Sequence, residues 1–477
     1  MRSASRALAF IAAASLFAAC SNHSGGVTPP VPTAPQGISQ SPQSYTTGTR
    51  FVDTGTTTSS VDASQFRYNV KPVFKPMSQA VDSSGGLPAP SVCAATYGLA
   101  CYTPDEIRTA YNVPSSLTGT GHTIVIIDAY GSPTIAADLK TFDRVFGLPD
   151  PAFNIVYPST RPTSTDNGWA GETSLDVEWA HAIAPNATID LVIAPTNSSS
   201  DLDVAETYAV EHHLGGVMSM SFGAPEQAIS GGPKNRYLRH GDAVFQEARE
   251  AGITAVASTG DLGASFGSGV AVANYPSSDP LVTAVGGTNL FISDAGVYQS
   301  EDVWNDTDSA LCPFGCAYGA IGATGGAPSI LFKRPRYQRE ASRYRTRTVS
   351  DVSYDASVYT AVMVVSSYSD GVPRYYFTGG TSSGTPQWAA IITLANQSRG
   401  HRIGYVNPAL YRLADRARYS SAFHDITVGN NALFTDPGFP AARGYDIPTG
   451  LGTPNVGNLI NALSGHDEDE SDHHTDS

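Results

Sequence analysis

Apolar residues in the middle of the chain alternate between two spacings. The run TIVIID at 123–128 is almost continuously apolar, as in a strand buried on both faces of a sheet. Behind it, Ile135, Leu139, Phe142 and Phe146 recur at the spacing of one helical face. The same alternation predicts further strands at 188–194, 216–221, 253–258 and 281–285, and helices at 203–213 and 243–251.

This alternation predicts the fold class. Strands that alternate with helices favour a parallel sheet covered by helices on both of its faces. We therefore expect an α/β fold with a mostly parallel sheet in one large domain. In such sheets, the binding or catalytic site lies beyond the carboxyl ends of the strands.

The first nineteen residues have the pattern of a signal peptide. Arg2 and Arg6 precede an apolar run at 7–19, which is too short to span a bilayer. The run ends in LFAAC, which resembles the lipobox of bacterial lipoproteins, although Phe17 replaces the usual Leu. The sequence therefore predicts export as an envelope lipoprotein, with Cys20 lipidated after cleavage. Ordinary signal-peptidase cleavage nearby, and secretion without an anchor, is the alternative.

The two ends of the exported chain differ in composition from its middle. Residues 20–100 are rich in Ser, Thr, Pro, Gly and Gln, which predicts a tether or a short propeptide. Residues 465–477 are mostly Asp, Glu, His and Ser, which predicts a solvated, disordered acidic tail. The expected folded domain is therefore 101–464.

Charge and composition exclude two classes of partner. Apolar residues make up 41% of the chain and charged residues only 15%, which suits a folded protein with a large core. The formal net charge is −15 at pH 7. A charge of this sign repels nucleic acid and anionic membrane surfaces, so we expect membrane contact only through a lipid at Cys20.

The cysteines fit an oxidising compartment. Apart from Cys20, they form two couples that are close in sequence, Cys93 with Cys101 and Cys312 with Cys316. Two local disulfides are the simplest pairing. A C-x3-C couple could also hold metal, but no His or Cys stands nearby at the spacing of a zinc site.

A serine stands where a helix is predicted to begin. Residues 380–386, GTSSGTP, crowd small residues around Ser382 before the apolar run QWAAII. Glycines allow close approach of the backbone, and a helix N-terminus favours developing negative charge. Ser382 is therefore a candidate nucleophile. A plain helix cap is the alternative, since Ser and Thr cap helices for structural reasons.

Two carboxylates stand one helical turn apart in GETSLDVEWAH at 171–181. Glu172 and Asp176 are i and i+4, so on a helix both lie on one face, about 6 Å apart along its axis. One proton shared between two such groups relieves their repulsion and raises one pKa. A solvated acidic face is the alternative, but Ala180, Ile183 and Ala184 indicate a largely buried helix.

A third acidic residue, Asp261, follows the predicted strand ITAVAS in the stretch STGDLG. A side chain at the carboxyl end of this strand can reach toward a nucleophile. In a water-poor pocket this Asp could stay protonated and donate a hydrogen bond to an oxyanion. A plain turn Asp is the alternative.

These motifs occur in a sequence that resembles the sedolisins, or serine-carboxyl peptidases, whose fold is similar to subtilisin. The resemblance rests on YTPDEIRTAYNV, GHTIVIIDAYGSP, GETSLDVEWAHAIAP, SMSFG, STGDLG, YPSSDPLVTAVGGT and GGTSSGTPQWAA, in family order. It extends from Tyr102 to roughly Leu463. It implies a monomeric endopeptidase that cleaves protein or peptide substrates at acid pH.

The resemblance also implies a role for each candidate residue. Ser382 would be the nucleophile and Glu172 its general base, while Asp176 would orient Glu172 and share a proton with it. Asp261 would be the protonated donor to the oxyanion. Asp128, at the end of TIVIID, lies where some members place an outer acidic residue that is hydrogen-bonded to this network.

The family further holds one calcium ion near its C-terminus, and two stretches of this chain look like that site. The implied carboxylate ligands are Asp425 and Asp446. The implied main-chain carbonyl ligands are those of Ile426, Ala442 and Gly444, since a hard cation prefers oxygen. Members usually carry Gly where Ala442 stands, which a backbone ligand tolerates if φ is negative. An Asp-rich loop without metal is the alternative.

Two other functions compete with the serine-carboxyl one. A subtilisin-like peptidase would use Asp128, His181 and Ser382, but none of the eleven histidines is followed by Gly-Thr, as the histidine of subtilisin-like enzymes is. His181 also lies off the helix face that carries Glu172 and Asp176. A catalytically silent surface lipoprotein is the third hypothesis, but all four implied catalytic residues are present.

One feature of the sequence departs from the family. Sedolisins typically carry a long folded prodomain before the catalytic domain. Here residues 20–100 have the composition of a tether. Inhibition by a folded prodomain is therefore not expected.

Overall fold

The computed structural model describes residues 49–53, 66–69, 72–81, 86–229, 236–266, 268–308, 313, 321–414 and 418–464. The predicted signal peptide, Cys20, the couple Cys312 and Cys316, and the acidic tail lie outside the described residues. All described residues belong to one compact unit.

The described part of the chain contains strands and helices in alternation. The strands are β1 Thr49–Asp53, β2 Val73–Ala80, β3 Ala100–Tyr102, β4 Thr123–Ala129, β5 Phe153–Tyr157, β6 Thr188–Ala194, β7 Val217–Met220, β8 Ala224–Pro225, β9 Thr254–Ser258, β10 Asn274–Tyr275, β11 Val282–Ile292, β12 Tyr298–Val303, β13 Pro328–Lys333, β14 Thr346–Thr348, β15 Val352–Asp355, β16 Thr360–Ser366, β17 Arg374–Gly379, β18 Phe423–His424 and β19 Thr453–Pro454. The helices are α1 Pro90–Tyr97, α2 Pro104–Ala110, α3 Ile135–Phe146, α4 Asn167–Ile183, α5 Ser199–Glu211, α6 Arg236–Glu250, α7 Thr381–Arg399, α8 Asn407–Ala414, α9 Tyr419–Ala422 and α10 Val456–Ser464. Within these described ranges, no helix is long and apolar enough to cross a membrane.

Nine strands form the main sheet. Their order is β1-β5-β6-β4-β7-β9-β11-β12, and β15 also pairs with β11. Every neighbouring pair is parallel except β11 with β12, which is antiparallel. The predicted mostly parallel sheet is therefore confirmed.

Side chains of the central strand β4 enter two different cores. Ile124 and Ile126 pack in the core that contains residues of α4 and α7, whereas Val125 and Ile127 pack in the core that contains residues of α5 and α6. Successive side chains of a strand point to opposite faces, so helices cover both faces of the sheet, as predicted. Helices α4 and α7 also pack against each other, which matters for the site described below.

Two element boundaries differ from the predicted ones for clear physical reasons. Helix α5 starts at Ser199, before the predicted position, because the Ser198 hydroxyl accepts a hydrogen bond from the Asp201 amide at 3.2 Å and caps the helix. Strand β11 runs on to Ile292 because it changes partner along its length. Its first residues pair with β9, and its last residues pair with β12.

Part of the segment predicted to be a tether is packed against the domain. Strand β2 pairs antiparallel with β17 in a second sheet of order β2-β17-β16-β3. Helix α1 is joined to β3 by the disulfide Cys93–Cys101, as predicted. Tyr68, Met77 and Leu99 are buried. Part of this Ser- and Pro-rich stretch is therefore packed before residue 101, because a few of its apolar side chains are buried against the core.

Candidate active site

The candidate nucleophile lies in the first turn of α7, directly after β17. Gly380 joins the two elements with a φ of 132°, which glycine adopts freely and other residues do not. A Cβ at this position would stand 2.7 Å from Oδ2 of Asp261, so the close approach also requires glycine. Ser382 is only 3% exposed, and its hydroxyl donates to the Ser221 carbonyl at 3.3 Å.

Helix α4 carries the two candidate carboxylates. It begins after Asp166, whose carboxylate accepts a hydrogen bond from the Trp169 amide at 3.0 Å and caps the helix. Glu172 and Asp176 are one turn apart on this helix, as predicted, and neither side chain is exposed to solvent. Because α4 packs directly against α7, both carboxylates lie in the interior near Ser382.

Burial dominates the electrostatics of Glu172. It raises the pKa of Glu172 well above the ordinary value, and the negative charge of Asp176 raises that pKa further. The Ser382 hydroxyl acts in the opposite direction, because a donor favours the charged form of the acid. No hydrogen bond of ordinary geometry reaches either carboxylate oxygen of Glu172 from the described residues. Glu172 therefore faces the candidate nucleophile as a weak acid in a water-poor setting.

Asp176 is connected to the nucleophile through Ser221. The Ser221 hydroxyl donates to Oδ1 of Asp176 at 2.8 Å and lies 3.5 Å from the Ser382 carbonyl oxygen. Burial raises the pKa of Asp176 well above its ordinary value, and the charge of Asp128 adds to this effect. The hydrogen bond from Ser221 lowers it. Ser221 thus favours the ionised form of Asp176.

Asp128 is a third buried carboxyl of the same cluster. Burial raises its pKa to about 8, and the Thr173 hydroxyl lowers it. The negative charge of Asp128 in turn raises the pKa of both Glu172 and Asp176. Buried carboxyls that interact this strongly share protons rather than all being charged. The structure therefore brings Asp128 near the Glu172 and Asp176 pair, but no hydrogen bond of ordinary geometry reaches its carboxylate oxygens from the described residues, unlike the arrangement that the family resemblance implied.

Asp261 reaches the site from the loop after β9. Its Oδ1 accepts hydrogen bonds from the amide and the hydroxyl of Thr381, at 2.8 Å and 2.7 Å. Oγ1 of Thr381 also accepts a hydrogen bond from the Gly260 amide at 3.0 Å. The charge of Asp261 contributes to the raised pKa of Glu172. These contacts fix Asp261 beside the residue that precedes Ser382.

An open cleft lies in front of the nucleophile. Its empty volume, which includes the solvent at its mouth, is about 700 Å³. The residues that line it are Asn69, Ser221, Gly223, Pro225, Ser258, Gly260, Asp261, Leu262, Phe266, Asn274, Thr381 and Ser382. Ser382 and Asp261 therefore face the cleft, whereas Glu172 and Asp176 are buried beside Ser382.

His181 does not join this site. It follows Glu172 by nine residues, which is about 13 Å along α4 and on the opposite side of the helix. Its Nε2 lies 3.0 Å from Oδ1 of Asp143 on α3, and both side chains are buried. The alternative in which His181 acts as the base of Ser382 is therefore not supported by the geometry.

The predicted calcium ligands come together at another place in the fold. The Gly444 amide donates to both carboxylate oxygens of Asp425, at 3.0 Å and 3.1 Å. The Ala442 amide donates to Oδ2 of Asp446 at 2.9 Å. Burial raises the pKa of Asp446 to about 7, and the charge of Asp425 adds to this effect. Two carboxylates thus lie close together around one short segment of backbone.

Two residues that the sequence did not single out complete the site. Ser221 contacts both Asp176 and Ser382, and Thr381 holds Asp261. Ser221 follows the strand β7, and Thr381 begins α7. The carboxyl end of a strand and the start of a helix are the signals that could have indicated them.

The chain is similar to several known peptidases. Kumamolisin from Bacillus sp. (strain MN-32) is 32% identical over 377 residues, which cover 76% of this chain and 63% of kumamolisin. Tripeptidyl-peptidase 1 from Dictyostelium discoideum is 29% identical over 397 residues, which cover 77% of this chain and 59% of that protein. No family model matches the chain.

A solved structure supports the same relationship. It is that of Pseudomonas sedolisin, a serine-carboxyl proteinase, complexed with two molecules of pseudo-iodotyrostatin. Its TM-score is 0.69 at 26% identity, over 77% of this chain and 99% of that chain. The chain spans about three fifths of the length of kumamolisin and of the tripeptidyl-peptidase, but nearly all of the solved sedolisin chain. This similarity of sequence and of fold supports the sedolisin family of serine-carboxyl peptidases as the family of this chain.

Proposed function

We propose that this protein is a serine-carboxyl endopeptidase that hydrolyses peptide bonds of protein or peptide substrates at acid pH. The observation that carries the proposal is the burial of two carboxyls, Glu172 and Asp176, beside the hydroxyl of Ser382 at an open cleft. A buried carboxylate can act as the base of a serine nucleophile without a histidine.

Ser382 supplies the nucleophile and Glu172 the base. Ionised Glu172 accepts the proton of the Ser382 hydroxyl while Oγ attacks the carbonyl carbon of the scissile bond. The C–N bond then breaks, Glu172 returns the proton to the leaving amine, and the acyl group stays on Ser382 as an ester. Water attacks the ester with Glu172 again as base, which releases the acid product and restores the hydroxyl.

Burial and Asp176 set the basicity of Glu172. Burial and the neighbouring charge of Asp176 both disfavour the ionised form, so a charge shared by the two carboxyls belongs to a stronger base than an exposed carboxylate. Asp176 also shares a proton with Glu172 and so orients it. The hydrogen bond from Ser221 fixes Asp176 in turn.

Asp261 is the donor to the oxyanion. A negative charge develops on the substrate carbonyl oxygen when Ser382 attacks, and a donor fixed at that oxygen stabilises it. The two hydrogen bonds from Thr381 occupy Oδ1 of Asp261, so a proton on this carboxyl is favoured on Oδ2. Protonated Asp261 then donates to the oxyanion in the cleft that both Asp261 and Ser382 line.

A structural calcium ion is part of the proposal. Asp425 and Asp446 would hold it through carboxylate oxygens, together with the carbonyls of Ile426, Ala442 and Gly444. Two observations support the fit: the two carboxylates lie close together, and no donor among the described residues bonds to any of the three carbonyls. When bound, the ion would neutralise the carboxylates and fix the segment that joins them.

Export and anchoring complete the proposal. The protein is exported as a monomer, either as an envelope lipoprotein anchored only through Cys20 or as a secreted enzyme. The disulfide Cys93–Cys101 supports an oxidising compartment.

The nucleophile is tested by two neighbouring substitutions. Purified protein is incubated with a denatured protein at pH 4, and fragments are measured over time. Ser382→Ala should abolish proteolysis and leave the melting temperature nearly unchanged, because the hydrogen bond from its hydroxyl to the Ser221 carbonyl is long, at 3.3 Å. Ser383→Ala should remain active. An inactive Ser383→Ala together with an active Ser382→Ala would identify Ser383 as the nucleophile and contradict the proposal.

A further inference from the structure

A strongly basic segment of the chain lies outside the candidate active site. Residues 333–345, KRPRYQREASRYR, hold six of the 28 Lys and Arg of the chain but only one of its 43 Asp and Glu. We call this segment the basic loop. None of its residues lines the cleft in front of Ser382. The proposed peptidase chemistry therefore leaves this concentration of charge unexplained.

The basic loop is an ordered part of the surface. It connects β13 to β14, which pair with each other, and the Arg334 amide donates to the Arg345 carbonyl at 3.1 Å. At its centre, the buried side chain of Gln338 donates to the Thr348 carbonyl at 2.8 Å and accepts from the Thr348 amide at 3.0 Å. These bonds close the loop and fix its middle to the domain.

Most of the positive charges of the loop are exposed and have no acidic partner. No ion pair between residues that the structure describes includes a basic residue of the loop. Arg347, two residues beyond the loop, is instead fully buried and bonds to Asp351 at 2.6 Å. Like charges held close together repel one another, so this arrangement costs stability unless an anion neutralises it. The exposed basic residues are Lys333, Arg336, Arg339, Arg343 and Arg345.

Other charged groups around the loop do little to neutralise it. The acidic groups that face it from neighbouring elements are Glu226, Asp279 and Asp351, which are buried and accept hydrogen bonds from other residues. Within the loop, Glu340 is exposed. Helix α8 packs against the loop and carries the exposed Arg412, but no acidic residue. From α6, Arg249 lies over the ring of Tyr405, which contacts Tyr337 of the loop. The local field is therefore positive.

The choice of basic residues favours a phosphate partner. Five of the six in the loop are Arg, whose planar guanidinium binds two phosphate oxygens at once. A phosphodiester is a strong acid and keeps its charge at acid pH, whereas the carboxylates of an acidic protein are increasingly protonated there. A surface rich in phosphodiesters is therefore the anion that this loop would hold at acid pH.

Apolar surface beside the charges favours a lipid surface over a nucleic acid. The side chain of Ile330, three residues before Lys333, is 57% exposed. Within the loop, the guanidinium of Arg343 lies 5.5 Å from the ring centre of the partly exposed Tyr344. Arg and Tyr both have an apolar body and a polar tip, which suits the boundary between lipid tails and headgroups.

The chain as a whole stops repelling an anionic surface at acid pH. Its net charge of −15 at pH 7 is the reason that membrane contact is expected only through a lipid at Cys20. The sequence pI is about 5.1, so the chain is cationic below that pH. Arg keeps its charge while carboxyl groups lose theirs. The repulsion that opposes membrane contact at neutral pH is therefore absent at acid pH.

We propose that the basic loop is a docking surface for the phosphate headgroups of an anionic lipid membrane, and that it holds the domain on that membrane at acid pH. This inference goes beyond the proposed function, in which Cys20 is the only contact with a membrane. Each Lys or Arg close to an anionic membrane raises the affinity roughly fivefold, so the exposed residues of the loop together suffice for binding without a lipid.

Docking is tested with a chain that has neither a lipid nor activity. Full-length Cys20→Ser with Ser382→Ala is mixed at pH 4 with vesicles of equal parts phosphatidylcholine and phosphatidylglycerol, and the vesicles are sedimented. The chain should bind these vesicles but not vesicles of phosphatidylcholine alone, and binding should weaken at pH 7.5 and at high salt. No binding at pH 4, or equal binding to both kinds of vesicle, would overturn the proposal.

Two double variants of this chain, matched in charge, locate the docking surface. Arg336→Gln with Arg339→Gln changes the basic loop, and Lys140→Gln with Arg144→Gln changes exposed residues of α3. The loop variant should lose at least about tenfold in affinity for the anionic vesicles, and the α3 variant no more than about twofold. Equal losses in the two variants would mean that net charge alone drives binding, which would overturn the role of the loop.

A nucleic acid is the competing partner. Duplex DNA is offered to the same chains at the same pH and salt. Tighter binding to DNA than to the anionic vesicles, lost in the loop variant, would assign the loop to nucleic acid and overturn the membrane proposal. The vesicle measurement does not use activity. A wild-type chain that cleaves nothing would therefore overturn the proposed function alone, and a chain that binds no vesicles would overturn docking alone.

Discussion

The hydroxyl of Ser221 donates a 2.8 Å hydrogen bond to Asp176, and the carbonyl of the same Ser221 accepts one of 3.3 Å from Ser382. One residue at the end of β7 therefore touches both the buried acid on α4 and the nucleophile on α7. The two helices pack against each other, so this residue fixes the distance across their contact. Ser221 thus positions the acid through its side chain and the nucleophile through its main-chain carbonyl.

Removal of the Ser221 hydroxyl should shift the acid limb of the profile of kcat against pH. The hydrogen bond from Ser221 lowers the pKa of Asp176, so Ser221→Ala should raise that pKa. The carboxyl pair would then lose its proton at higher pH, and the acid limb of kcat should move upward. A hydrogen bond to a charged group contributes about 1.5–3 kcal/mol, so kcat at pH 4 should fall at least tenfold. Ser221→Thr keeps a hydroxyl and serves as control. An acid limb that stays in place would contradict this role.

Asp128 should tolerate a neutral replacement. Burial raises its pKa to about 8, so Asp128 is protonated over the acid range in which the enzyme is proposed to work. Asp128→Asn resembles that protonated form and should keep activity at pH 4 within about threefold. Asp176→Asn should lose about a hundredfold or more, as expected when a proton-sharing partner of the base is removed. The measurement is kcat at pH 4. A comparable loss of kcat in both variants would mean that ionised Asp128 is needed for activity.

Calcium should stabilise the folded chain, because the unfolded chain has no formed site. With Ser382→Ala as background to prevent self-digestion, a chelator should lower the melting temperature by roughly 5 °C. Asp446→Ala should start at the lower value and respond hardly at all to the chelator. Asp370→Asn, in an exposed pair with Arg374, is the matched control and should respond like the background chain. Equal shifts in all three chains would exclude Asp446 as a ligand.

The folded state should be more stable at acid than at neutral pH. Burial raises the pKa of Asp279, Glu301 and Asp306 to about 7 each. Between about pH 4 and 7 the folded chain therefore binds more protons than the unfolded chain, so this stability is fully present below pH 4 and is lost as the pH rises through 7. Each such group should lower the free energy of unfolding by on the order of 3 kcal/mol as the pH rises across this range.

Urea unfolding of the Ser382→Ala chain at pH 4 and pH 7.5 measures this difference. Glu301 is buried and accepts hydrogen bonds from Tyr111 and Thr288, at 2.7 Å and 2.8 Å, so its carboxyl is a good single test. Glu301→Gln cannot titrate and should show a smaller difference between the two pH values. Glu340→Gln, on the surface, should leave the difference unchanged. If the Ser382→Ala chain is more stable at pH 7.5 than at pH 4, the predicted direction of the pH dependence is contradicted.

Much of the site was predictable from local sequence. The i, i+4 spacing of Glu172 and Asp176 sets their common helix face, and the apolar residues of the same stretch indicate its burial. The run TIVIID predicts a buried strand, so Asp128 at its end was expected near the carboxyl edge of the sheet. These features depend on neighbours within one or two turns, which the sequence displays directly.

Other features depend on contacts between distant parts of the chain. Ser221 meets Asp176 across 45 residues and Ser382 across 161, and no local pattern signals such a meeting. The strand β2 pairs with β17, although its surroundings have the composition of a tether. The hydrogen bonds of an added strand come from its backbone, so composition alone conceals it.

The central claim is that carboxyl groups alone carry the proton transfers, and the pH profile of kcat/KM tests it most directly. Activity needs one proton lost from the Glu172 and Asp176 pair and one kept on Asp261, so wild type should peak at acid pH and fall toward neutral pH. The raised pKa values of the pair place the acid limb at a higher pH than an exposed carboxyl would. Asp261→Asn keeps a permanent donor, so its weaker activity should fall less on the basic side. An optimum above pH 7, where a histidine base would act, or an unchanged basic limb in Asp261→Asn would contradict the account.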